Sequence, residues 1–192
     1  MSRIAIPATI DMAPPASQTA LKTIERQIGK VPNIYRLMAV SPQSLEGHLG
    51  MFGALEKGKL SPQTRNRIAL AVAEIDGCEY CLSAHTFIGH HLKLDDAEIK
   101  ANREGGSTDP RANAAVSFAA KLTRRRGKVA AEDIDEVRAA GYGDDEIIEI
   151  ILHVALNTWT NYLNNTADTD IDFPIVRADP PHLRNTQSIV DA

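Results

Sequence analysis

The sequence predicts an all-α protein, and three observations predict it. Apolar residues recur at three- and four-residue steps along most of the chain, as in "ASQTALKTIERQI". No segment sustains the apolar/polar alternation of a strand. Helix-start signals recur, most plainly Ser41–Pro42 and Ser61–Pro62, where a hydroxyl caps the helix and proline takes the first turn.

In chain order, "IAIPATIDMAPPAS" is an extended, proline-rich lead-in over 1–14. A helix is expected from near Pro15 to Gly29, another from near Pro32, and a third after Ser41. The fourth, "LSPQTRNRIALAVAEI", has Ser61 as cap. "DGCEYCLSAHTFIGHHL" opens the next, with Asp76 as its expected cap. "DDAEIKAN", "PRANAAVSFAAKLTRRR" and "AAEDIDEVRAAG" follow; Arg124–Arg126 close theirs, where cations oppose the helix dipole. The last helix, "GDDEIIEIILHVALNTWTNYLNN", is apolar almost all round and is expected to be buried on most sides. "LKLDDAEIKA" and "AGYGDDEIIEI" echo each other weakly, which fits either a repeated helical hairpin or ordinary helix-start chemistry. One domain is expected over 1–174, with an irregular tail over 175–192.

At 192 residues, with 43% hydrophobic and 24% charged residues, the composition is that of a folded globular chain. A net charge of -4 supplies no electrostatic footprint for nucleic acid. No apolar run reaches the length of a membrane span, and the N-terminus lacks a signal pattern. The expected compartment is therefore the cytoplasm, with no membrane or nucleic-acid partner. There, two cysteines separated by two residues point to redox chemistry or metal binding rather than to a staple.

The chemistry centres on "EIDGCEYCLSAHTFIGHH". Placed on one helix, Cys78, Cys81 and His85 share a face, and free N–H groups at a helix start favour a thiolate. His85 stands one turn after Cys81, in reach of its sulfur. Two readings compete with redox chemistry. Zinc needs four ligands; these residues supply three, His90 and His91 turn away, and no metal is expected. The other reading is two small buried residues beside a core histidine. On the last helix His153, Asn157, Thr160, Asn161 and Asn164 form one polar stripe, either a satisfied seam or a pocket wall. His48 and His182 belong to no readable constellation.

"LSPQTRNRIALAVAEIDGCEYCLSAHTFIG" resembles the signature of the alkylhydroperoxidase D (AhpD)-like, carboxymuconolactone decarboxylase superfamily, in particular its peroxidase-related group. "HVALNTWTNYLNNTADTDIDFP" is similar to that group's C-terminal segment. The resemblance covers roughly Val31 to Pro174. It implies an AhpD-like helical bundle and a thiol-dependent peroxidase, an antioxidant enzyme that uses neither haem nor flavin. It also implies that Cys81 attacks the hydroperoxide, Cys78 resolves and His85 assists proton transfer. A lipoyl-type or thioredoxin-like dithiol would be the reductant, and the assembly a homo-oligomer, trimer or hexamer. The relay glutamate of the pattern is Asn66 here, and the histidine between the cysteines is Tyr80. Glu74, four residues before Cys78, is a possible substitute carboxylate. Decarboxylation is disfavoured, because that chemistry needs no cysteine pair. The alternative is a non-enzymatic redox sensor or scaffold whose disulfide switches assembly.

Overall fold

The computed structural model describes residues 2–179; the rest of the expected tail, His182 included, lies outside them. Among the described residues there are nine α-helices and no strand: α1 Pro15–Ile28, α2 Asn33–Met38, α3 Pro42–Glu56, α4 Pro62–Ile75, α5 Glu79–His91, α6 Asp96–Arg103, α7 Pro110–Arg125, α8 Ala131–Ala139 and α9 Asp144–Ala167. The lead-in carries one 3-10 turn, Ile10–Met12, which the extended expectation missed. Its Ala13 joins the buried set.

The expected hydroxyl caps form: Ser41 Oγ accepts from Ser44 N at 3.3 Å and Ser61 Oγ from Thr64 N at 3.1 Å. Both segments of the echo show helix-start chemistry. Asp95 caps α6 through Glu98 N, Glu146 reaches back to Gly143 N in α9, and the two helices have 8 and 24 residues.

α4 is the central helix and packs against α5, α6, α7 and α9. Its run Ile68–Glu74 is buried at every position, so its sides face different neighbours. One cluster joins Ile68 and Val72 to Phe118, Leu122, Tyr142 and Ile150. A second joins Leu70 and Ala73 to Cys78, Cys81, Leu82 and Ile99. A third, around Leu21, Met38 and Leu45, binds α1–α3.

One expectation about α9 changes. On α9, Ile148, Ile151, Leu152, Trp159 and Tyr162 are exposed, while all five residues of the polar stripe are buried. The tail is irregular yet pinned across α5: Asp172 takes the Tyr80 hydroxyl at 2.7 Å and Asn33 N at 3.2 Å, and Val176 N donates to Ser83 Oγ at 2.9 Å.

Candidate functional site

The α4–α5 junction builds the cysteine pair. Gly77 takes φ 65°, donates its N–H to Glu74 O at 3.1 Å, and passes the chain to Cys78, whose N–H donates to Ala73 O at 2.9 Å. This paired closure is a Schellman motif, and glycine takes its left-handed position without the Cβ penalty. The residue that leaves this turn is also the N-cap of α5. The cap is Cys78, not Asp76: its Sγ accepts the Cys81 N–H at 3.2 Å. Asp76 ends α4 instead and accepts Asn161 Nδ2 at 2.9 Å. Both cysteines are free thiols, with Cys78 0% and Cys81 3% exposed.

Cys81 lines a cavity of about 770 Å³, a size suited to a small organic molecule. Asn164 Nδ2 donates to Cys81 Sγ at 3.3 Å. The Thr160 hydroxyl, which donates to Asn157 O at 2.9 Å, stands in hydrogen-bond reach of the same sulfur. The helix start alone favours a thiolate, but burial outweighs it. Burial holds the Cys81 thiol well above the ordinary range, its bond to Cys78 adds to that, and Asn164 and Thr160 pull the other way.

His85 lines the same cavity, and its tautomer follows from Asn66. Asn66 Nδ2 donates to the His85 carbonyl at 3.1 Å, which can only accept, so Oδ1 is the atom facing His85 Nδ1 at 3.1 Å. Nδ1 therefore carries the proton, and Nε2 keeps a free lone pair. Burial lowers the His85 pKa to about 4, so the ring is neutral at pH 7. Asn66 is the orienting partner of His85.

The structure brings Cys81, Cys78, His85, Asn66, Tyr80, His153 and Asn157 around this cavity, Cys78 through its bond to Cys81. The Tyr80 hydroxyl is already engaged, donating to Asp172 and accepting Ile34 N at 3.1 Å, and its ring packs edge-on against Phe173. Two residues stand elsewhere. Asn161 is tied to Asp76 and does not line the cavity. Glu74 is buried, but its carboxylate takes Arg103 Nε at 2.7 Å and Asp179 N at 2.6 Å. It clamps α6 and the tail and is neither a cavity carboxylate nor a solvated helix end. His90 and His91 are exposed.

Sequence reasoning missed Asn164 as a partner of Cys81, although it lies in the polar stripe. It also missed His48 and Arg65 as cavity residues, for which no local signal exists. Among the described residues no cluster of three or more His, Cys, Asp or Glu is arranged to hold a metal, and no helix is long and apolar enough to cross a membrane.

Residues 48–121 match the carboxymuconolactone decarboxylase family. No curated protein matches the chain at significant strength. An uncharacterized peroxidase-related protein from Silicibacter sp. TM1040 is 25% identical over 88% of this chain and 91% of its own, with a TM-score of 0.78. An AhpD-core, peroxidase-related protein from Ralstonia eutropha JMP134 is 22% identical over 89% and 92%, TM-score 0.80. The debrominase Bmp8, as a cysteine-to-alanine variant in complex with 2,3,4-tribromopyrrole, is 21% identical over 99% and 100%, TM-score 0.74. The last two likenesses speak for the fold alone. The matched segment contains the CxxCxxxH helix, so over residues 48–121 the chain is similar to the carboxymuconolactone decarboxylase family, and its fold is like that of the peroxidase-related proteins.

Proposed function

We propose that the protein is a thiol-dependent peroxidase that reduces an organic hydroperoxide with an external dithiol. The observation that carries this reading is the pair of free thiols joined across the α5 N-terminus, with Cys81 and a neutral, oriented His85 lining one cavity. Cys81 loses its proton to His85 Nε2, and its thiolate attacks the distal peroxide oxygen. The O–O bond breaks, the alkoxide takes the proton back from the imidazolium to leave as an alcohol, and Cys81 becomes a sulfenic acid. Cys78 then attacks that sulfur, and water leaves as the disulfide forms. A dithiol, lipoyl-type or thioredoxin-like, restores both thiols by exchange and is itself oxidised.

The burial of Cys78 and the raised pKa of Cys81 favour a second reading, a sensor that reacts once. Turnover with cumene hydroperoxide and dihydrolipoamide separates the two. An enzyme cycles many times, Cys81→Ser abolishes consumption, and Cys78→Ser reacts once and stops with a sulfenic acid at Cys81. A single stoichiometric oxidation of the wild type, with no cycling, sinks the enzyme reading. Sulfenic acid on Cys78 in the Cys81→Ser variant reverses the assignment.

The assembly belongs to the same proposal. The exposed residues Ile148, Ile151, Leu152, Trp159 and Tyr162 recur at heptad-like steps along α9, a seam suited to a second copy of the same helix. Light scattering reads a homo-oligomer, and Ile148→Glu with Tyr162→Glu reduces it to monomer.

A further inference from the structure

The cavity has a second polar group of residues that the redox reading does not use. His48 from α3, Arg65 from α4 and His153 from α9 all line it. The two histidines are 7% and 5% exposed, and His48 Nδ1 and His153 Nε2 are buried without a hydrogen-bond partner. Leaving such atoms unpaired in the interior is unfavourable. Arg65 donates one hydrogen bond, Nη1 to Leu55 O at 3.3 Å. Among the described residues, no carboxylate stands within ion-pair range of it. Its neighbours on the fold differ: Arg67 and Arg103 each hold a buried carboxylate, Glu98 and Glu74. Glu56 also lines the cavity, but it is exposed and forms no ion pair with Arg65.

These groups stand apart from the cysteines. Thr160 lies beside Cys81 Sγ, and His153 is two turns earlier on the same helix. At 1.5 Å per residue that is about 10 Å along the α9 axis. Apolar side chains, among them Phe52, Ala69, Ile88 and Leu156, also line the cavity. A guanidinium pairs with a carboxylate in bidentate fashion, and each neutral imidazole has one N–H to donate. Burial lowers the pKa of both rings to about 4, helped at His153 by the charge of Arg65, so they are uncharged donors at pH 7.

We propose that Arg65, His153 and His48 bind a substrate carboxylate, making the site selective for apolar organic acids that carry their reactive group about 10 Å from the acid. The orientation rests on Cys81 as the reacting sulfur; the acid subsite itself does not.

Binding of decanoate and of 1-decanol, neither of which is a hydroperoxide, tests the subsite by calorimetry at pH 7. Decanoate is expected to bind at least about tenfold tighter than decanol. Arg65→Gln is expected to remove that difference and leave decanol binding unchanged. Equal affinity of the wild type for both probes, binding of neither, or an acid preference that survives Arg65→Gln overturns the proposal. The wild-type comparison stands even if the variant fails to fold. Acid preference without any peroxide turnover removes the redox reading and keeps the subsite; turnover without acid preference does the reverse.

Discussion

The cysteine end and the far end of the cavity are built on opposite plans. At the cysteine end, the groups that would react are held by their neighbours: Cys78 accepts from Cys81 N, Asn164 donates to Cys81, and Asn66 grips His85 at two points. At the far end, His48 and His153 each keep an orphaned ring nitrogen and Arg65 has one bond. The difference teaches which end is preorganised and which awaits a ligand. Hydrogen bonds within the protein fix tautomer and rotamer before substrate arrives, although Asn164 Oδ1 stays unpaired there too. Buried polar atoms left unpaired are an energetic debt that a bound molecule can relieve.

Acid stability tests a property the two ends share, with the largest effect. His48, His85 and His153 have folded pKa values of about 4 against 6.5 for the free side chain. Between those values the unfolded chain binds more protons, so stability is full above about pH 6.5 and is lost as pH falls toward 4. Each ring contributes a slope of up to about 1.4 kcal/mol per pH unit. Urea midpoints from pH 7 to pH 4.5 measure the slope, and His153→Gln makes it shallower. A flat profile would show that the rings are not held neutral.

His85→Ala breaks the preorganised end alone. It is expected to slow peroxide consumption by about 10²-fold while decanoate affinity stays unchanged. Loss of both together would mean that the two ends are one unit.

Asn66→Glu sharpens the contrast further. A carboxylate on Nδ1 raises the His85 pKa above about 4, making Nε2 a stronger base, although it faces the His85 carbonyl where Asn66 Nδ2 now donates. Turnover is expected to rise by up to about tenfold, with the His85 titration, followed by NMR, moving toward neutral. An unchanged His85 titration refutes the assigned tautomer.

Glu74→Gln has the smallest effect on chemistry. It weakens the clamp on Arg103 and the Asp179 N–H and is expected to lower stability by about 1–3 kcal/mol at unchanged turnover per folded protein. A large fall in turnover would return Glu74 to the site.

The helices were legible in the sequence because their signals are local. Ser41 and Ser61 cap as written, and CxxCxxxH places Cys78, Cys81 and His85 at the start of one helix whatever surrounds it. The polar stripe of α9 could be seen as well, but not its use: Asn164 meets Cys81, Asn161 meets Asp76, and the distinction depends on which neighbour each residue faces. At Asp76–Gly77–Cys78 the sequence favours the aspartate as cap, the commoner N-cap residue, whereas Cys78, two residues on, takes that place.

The sequence by itself therefore determined the fold class, the starts of α3 and α4 at Ser41 and Ser61, and the helical placement of the cysteine motif, all of which follow from periodicity and capping within one or two turns. Only the tertiary structure decided that both thiols are buried, that Asn66 sets the tautomer of His85, that Glu74 turns to Arg103, and that α9 shows its apolar side to solvent. It alone brought His48, Arg65 and His153 from three helices to one cavity. Burial and pairing depend on residues far apart in the chain, and the energies that set a pKa or leave a nitrogen unpaired arise only where those residues meet.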